Sequence, residues 1–204
     1  MEISDKNGEV LVKLGRKAIE KYVKEKLIIE PLKGLDPELY NKMGVFVTLN
    51  AQIQSGHKLR GCIGHPLPEK PLVEALLDSA IAAAVSDPRF DEVTSDELDN
   101  LVIEISILTP PEIIKVSSQE EYRNQIKVGE DGLIVKWQYG SGLLLPQVPT
   151  EQGWEVEEFL THSCLKAGAP SDLWRSSNID IYKFQAIIFD EVSPGGDVLR
   201  RKLE

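Results

Sequence analysis

Along residues 11–26, Leu11, Leu14, Ala18, Ile19 and Tyr22 recur at three- and four-residue steps, and lysines and glutamates fill the remaining positions. That pattern predicts an amphipathic first helix. Pro31, Gly34 and Pro37 then punctuate a loop. The period next changes to two. Val45, Val47 and Leu49 alternate with Phe46, Thr48 and Asn50, which predicts a strand over 44–50. A turn at Ser55-Gly56 leads to a partner strand over 57–64, stopped by Pro66 and Pro68. Pro71 suits the start of a second helix, whose apolar face runs from Leu72 through Leu76, Ala80 and Ala84 to Val85. Asp87-Pro88 ends it, and Arg89-Phe90 falls on a tight connection.

The second half reads in the same way. Residues 95–98 form a cap and a short turn. In a strand over 102–108, Ile103, Ile105 and Ile107 face the core, and Glu104 and Ser106 face the other side. A short helix is predicted over 117–125, and paired strands over 133–137 and 143–145 around Gly140-Ser141-Gly142. A long helix over 150–167, capped by Gly168, and a final strand over 182–189 complete the chain. Hairpins dominate over βαβ units. The expected fold is therefore α+β, a mainly antiparallel sheet flanked by helices. It is laid out as one domain over residues 1–204 or as two α+β lobes sharing a cleft.

Composition narrows the partners. With 42% apolar and 27% charged residues, the 204-residue chain has the balance of a globular protein. Its net charge of -10 repels phosphate backbones, so no nucleic-acid partner is expected. Arg200, Arg201 and Lys202 read as a solvated tail. The apolar stretch around Ile81 to Val85 is too short for a bilayer. The first five residues lack a basic region with an apolar run behind it, so the expected place is the cytosol, away from membranes. Cys62 and Cys164 form no Cys-x-x-Cys pair and are expected as thiols.

The segment Leu59-Arg60-Gly61-Cys62-Ile63-Gly64 carries the candidate chemistry. Strand alternation puts Arg60 and Cys62 on one face and Leu59 and Ile63 on the other. Gly61 and Gly64 remove side chains beside Cys62, and a glycine in a strand often marks the close approach of another group. An arginine beside a thiol lowers its pKa and favours thiolate. The opposing reading is a buried cysteine packed beside a structural arginine. His57, Cys62 and His65, with His162 and Cys164, supply metal donors at poor spacing, with His57 facing away from Cys62, so no metal is expected. Gly-x-Gly-x-x-Gly, phosphate-loop and Gly-x-Ser-x-Gly signatures are absent, and no cofactor is expected.

Those six residues resemble the hallmark of the AMMECR family. Gly44-Val45-Phe46-Val47-Thr48-Leu49 precedes them, and Asp87-Pro88-Arg89-Phe90 and Glu104-Ile105-Ser106-Ile107-Leu108 follow in order. Leu145-Pro146-Gln147-Val148, Trp154, Phe159-Leu160 and Lys166-Ala167-Gly168 complete a resemblance over roughly the whole chain. It implies an α+β fold, a functional site around Cys62, and no established activity. Some members join this domain to Memo-like and radical-SAM domains, which makes such proteins candidate partners.

The candidate ligand-binding residues are Arg60, Gly61, Cys62, Gly64, Arg89, Glu104 and Ser106, with Glu104 expected to pair with Arg60 across the sheet. The first reading is a binding or accessory domain whose polar pocket holds a small anionic ligand or a partner's tail. The second is an enzyme with Cys62 as nucleophile, Arg60 lowering its pKa, and His65, His162 or Glu104 as base. The third is a protein-interaction scaffold.

Overall fold

The computed structural model describes residues 3–31, 33–54, 56–176 and 178–201. Its helices are α1 (Asp5–Glu25), α2 (Leu72–Val85), α3 (Tyr122–Gln125), α4 (Gln147–Gln152) and α5 (Val156–Lys166). Its strands are β1 (Gly44–Ile53), β2 (Gly56–His65), β3 (Leu101–Leu108) and β4 (Glu112–Ile113), then β5 (Asp131–Trp137), β6 (Gly140–Leu144), β7 (Asp180–Glu191) and β8 (Val198–Arg201). The architecture is α+β, with antiparallel strand pairs flanked by helices. The chain divides into two compact units. One runs to Leu108 and includes Ile187–Arg201; the other is built on Thr109–Ala186.

In the first unit, Ser4 caps α1 by accepting the N–H of Asn7 at 3.2 Å. The predicted stripe of Leu11, Leu14, Ala18 and Ile19 is buried, and Val12 joins it. β1 pairs with β2 on one side and β3 on the other, both antiparallel. Val45, Val47 and Leu49 oppose Ile107, Ile105 and Ile103, so one face of the sheet is continuously apolar. That face packs with the apolar sides of α1 and α2 into one core. Each fully buried aliphatic side chain there contributes about 1.5–3 kcal/mol. Gly61 lets α2 lie close on β2, because a Cβ at this position would collide with the carbonyl of Ala83. Ser55, in the predicted turn, lies outside the described residues, as does Lys202 of the predicted tail.

Arg200 and Arg201 do not form a solvated tail. They belong to β8, which pairs antiparallel with β7. Arg201 is paired with Glu104 at 2.7 Å and with Asp190 at 2.6 Å. The basic cluster masked a short strand whose positive side chains are matched by carboxylates on its neighbours.

In the second unit, β5 pairs with β6 and with β7, and β4 pairs with β7. Phe159, Leu160 and Cys164 of α5 are buried with Leu133, Val135 and Ile181 of the strands. The long helix expected over 150–167 is two helices. Gly153 takes a left-handed φ of 67° and stops α4, and Glu155 opens α5 in a reciprocal capping box with Glu158. Among the described residues, no helix is long and apolar enough to cross a membrane.

One buried ion pair ties the first unit together across the sequence. Glu191, 3% exposed, receives Arg16 of α1 through Nε at 2.6 Å and through Nη2, and it accepts the N–H of Ile103 at 3.1 Å. Arg16 also donates to the carbonyl of Leu101 at 2.6 Å. Glu191→Ala leaves the half-buried Arg16 guanidinium with Glu20, at 3.5 Å, as its remaining carboxylate and is expected to lower the unfolding free energy by about 3 kcal/mol in urea titrations. Lys13→Ala removes an exposed pair with Glu9 and should leave the urea midpoint nearly unchanged. Equal, small losses in both variants would mean that Glu191 holds nothing together.

Candidate functional site

The hairpin register sets the geometry around Cys62. Thr48 faces Cys62 and Leu49 faces Gly61, but Asn50 faces Leu59. Arg60 therefore sits at a one-residue shift with no ladder partner, a β-bulge. Beyond the bulge the faces exchange. Leu59 shares the face of Cys62, whereas strict alternation grouped it with Ile63. His57, opposite Gln52, also lies on that face, four residues from Thr48 along β1, or ~13 Å at the rise of a strand.

The bulge sends Arg60 away from the thiol. Its Nε donates to Glu97 Oε1 at 2.7 Å and its Nη2 to Glu97 Oε2 at 3.1 Å. Nη1 and Nη2 also donate to the carbonyls of Asp91 and Glu92, at 2.9 and 3.3 Å. The expected Arg60–Glu104 pair is thus replaced by Arg60–Glu97. Glu97 is held in turn by the N–H of Thr94 at 2.8 Å, and the Arg60 guanidinium keeps its carboxyl below the usual range.

Asp87 and Arg89 finish the edge of β2. Asp87, 5% exposed, accepts the backbone N–H of Cys62 at 2.8 Å, and Arg89 Nη2 donates to the carbonyl of Cys62 at 3.3 Å. Arg89 also grips Asp87 with Nε at 2.9 Å and Nη2 at 2.7 Å. That bidentate contact, with the backbone donors of Cys62 and Arg89, holds the Asp87 carboxyl well below the ordinary carboxylate range. Beside these groups lies an open recess of about 420 Å³ lined by Arg60, Pro88, Arg89, Phe90 and Asp91. The guanidinium carbons of Arg60 and Arg89 lie 5.9 and 5.4 Å from the Phe90 ring centre.

The Cys62 side chain belongs to a different group. Thr48 stands between Cys62 on β2 and Glu104 on β3 in one cross-strand row, and Gly64, Phe46 and Ser106 form the next row. Thr48 Oγ1 donates to Cys62 Sγ at 3.4 Å. Glu104 and Ser106 are buried, and Glu104 pairs with Arg201. Burial pushes the Cys62 thiol up; the Thr48 bond and Arg89 pull the other way but do not win. Arg60 does not activate it, contrary to the sequence expectation, because its guanidinium is committed to Glu97. Gly64 has no space for a side chain, since the Phe46 ring lies over it.

The histidines are placed elsewhere. His65 opposes Val45, so it lies on the core face, away from Cys62, and its Nδ1 is 2.9 Å from Ser79 Oγ of α2. His162 stacks on Trp154 with ring centres 3.9 Å apart, and Cys164 is buried in the second unit's core. Among the described residues, no three His, Cys, Asp or Glu side chains gather as a metal site.

The seven candidate residues therefore separate. Arg60 and Arg89 line the recess, Cys62, Glu104 and Ser106 share the sheet face, and Gly61 and Gly64 admit neighbours. Sequence reasoning did not place Asp87, Thr48, Phe90, Glu97 or Arg201 among the candidate ligand-binding residues. Two carried a signal: Asp87 stands two residues before Arg89, and Thr94 to Glu97 has capping-box spacing.

The profile of the AMMECR1 family matches residues 12–189. A protein of Thermococcus onnurineus is 54% identical over 202 residues, 98% of both chains. Protein MJ0810 of Methanocaldococcus jannaschii is 50% identical over 198 residues, 96% of both. The crystal structure of uncharacterized protein PH0010 from Pyrococcus horikoshii superposes with a TM-score of 0.93 at 53% identity, covering 100% of both chains. Matched along nearly its full length by profile, sequence and structure, the chain belongs to the AMMECR1 family.

Proposed function

We propose that this protein is a binding domain whose recess takes a small anionic ligand at Arg89. The observation that carries the reading is the state of that guanidinium. Asp87 fixes one edge of the fork, yet the side chain is 53% exposed. Its Nη1 hydrogen-bonds to none of the described residues. A fixed donor loses little freedom on binding, and charge-assisted bonds to carboxylate or phosphate are the strong ones. Phe90 offers an apolar surface beside it. Arg60 is neutralised by Glu97, and Asp91 adds negative charge to the rim. Selectivity therefore rests on geometry more than on net field, and the favoured ligand joins an anionic group to an apolar face.

Titration with inorganic phosphate at constant ionic strength is expected to move the backbone amide resonances of Arg89 and Phe90. In Arg89→Gln the affinity should fall about tenfold or more. The reading fails if the wild-type amides do not move, or if they move equally in the variant.

Asp87 has its own signature. Its folded pKa is depressed, so its stabilising contribution is present above the unfolded carboxylate value of ~3.9 and is lost as pH falls through the folded value. Denaturant midpoints measured at stepped pH should fall less steeply on the acid side in Asp87→Asn than in wild type. Identical slopes would mean that this carboxylate does not anchor the edge.

The Cys62 enzyme reading has weaker support, because burial raises the thiol pKa and His65 lies on the opposite face. Native alkylation of Cys62, followed by mass spectrometry, should be slow at neutral pH, with a midpoint above the free-thiol ~8.5. Fast labelling with a lower midpoint would favour the nucleophile instead.

A further inference from the structure

In the second unit, β7 is flanked by β4 and β5, and β6 lies outside β5 at the end of the row. The register of the β5–β6 hairpin shows which way its backbone groups point. Trp137 faces Gly140 across a two-residue turn, so these two exchange both of their ladder bonds. Alternation then turns the N–H and C=O groups of Gly140, Gly142 and Leu144 toward β5, and those of Ser141 and Leu143 outward. Among the described residues, none bonds to Ser141 or Leu143 on that outer side. The end of α5 covers one face of β6, where a Cβ at Gly142 would collide with Ala167. Ser141 stays exposed all the same, so the edge itself is open.

Open edges are usually blunted by a charge, a proline or a bulge. β6 has none of them. Its sequence is Gly-Ser-Gly-Leu-Leu, and its register with β5 runs without a shift. Residues 137–150 contain no Asp, Glu, Lys or Arg, in a chain that is 27% charged. Two large apolar side chains are exposed beside this strip: Tyr139 at the hairpin tip, 76% exposed, and Leu165 of α5, 51% exposed. β2 differs, because Asp87 and Arg89 take its outward groups at Cys62.

Charge and symmetry together select the occupant. Each chain carries a net charge of -10, so two copies repel wherever their acidic side chains meet. The strip 137–150 is free of such side chains. An antiparallel edge is also its own complement, since a two-fold axis sets its outward donors against the acceptors of an identical strand. From these observations we infer that the protein forms a two-fold dimer in which the β6 strands of two copies pair antiparallel through the outward groups of Ser141 and Leu143. A five-residue strand gives a small interface, so the dimer is weak, with a dissociation constant on the order of 10 μM to 1 mM. Pairing consumes the β6 edge of both copies, and assembly stops at two. No residue of the Arg89 recess belongs to this surface.

Sedimentation equilibrium of the full chain, from about 10 μM to about 1 mM, should show a monomer–dimer equilibrium. It should tighten as salt rises from about 50 to about 500 mM, because screening removes the repulsion between like-charged copies. Over the same concentrations, the backbone amides of Ser141 and Leu143 should gain protection from hydrogen exchange. Ser141→Pro removes an outward donor without touching the ladder to β5 and should weaken the dimer at least about tenfold. Ser141→Glu sets like charges beside the axis from an already exposed position and should do the same with an unchanged unfolding midpoint, which serves if the proline variant folds poorly. A monomer at every concentration, a dimer that loosens with salt, Ser141 and Leu143 amides that gain no protection, or Ser141→Glu dimerising like wild type would each overturn the inference.

Discussion

Leu49 and Asn50 are neighbours on β1, but the residues they face on β2, Gly61 and Leu59, are not. Arg60 is the surplus residue between them, and the arrangement of the hallmark depends on that single insertion. It leaves Gly61 under the Ala83 carbonyl, where α2 must pass, and keeps Cys62 on the opposite face beside Thr48. It also releases the Arg60 side chain from the sheet, so that the guanidinium closes on Glu97 and two backbone carbonyls. Without the bulge, Arg60 would lie two residues from Cys62 on one polar face, in reach of the Glu104 row. With it, cation and thiol belong to separate environments.

That separation decides the chemistry of the cysteine. A thiolate needs either solvent or a committed cation, and Cys62 has little of either. It is partly buried, and its nearest helpful charge, Arg89, is shared with Asp87 and with the cysteine's own carbonyl. Glu104 and Asp87 push in the opposite direction. Desolvation therefore outweighs attraction, and the thiol remains protonated at neutral pH. The backbone of Cys62 is the busier part of the residue, holding the connection after α2 against the hairpin.

Much of the fold was legible because it rests on periodicity. The stripe of Leu11, Leu14, Ala18 and Ile19, and the alternation of Val45, Val47 and Leu49 against Ile103, Ile105 and Ile107, name the core directly. Periodicity fails where one residue changes the count. Arg60 in β2 altered which side chains share a face, and Gly153 divided a continuous-looking helix into α4 and α5. The β8 strand was hidden for another reason: Arg200 and Arg201 look solvated until the carboxylates of Asp5, Glu104 and Asp190 are brought to them by the fold. Within the candidate site, the residue types were readable and the partners were not, because Glu97 and Asp87 reach the hallmark through long-range packing that no local spacing encodes.

The Asp87–Arg89 pair has a consequence beyond ligand recognition. β2 is an edge strand, and an edge offers unpaired N–H and C=O groups to any extended chain that passes. At Cys62 both groups are already taken, one by a carboxylate and one by a guanidinium. An incoming strand would have to displace two charged side chains that also bind each other. Further along, exposed Lys58 puts a positive charge on the same border. The hallmark segment thus protects its own chain against edge-to-edge aggregation, and that duty constrains Asp87 and Arg89 whatever ligand the recess receives.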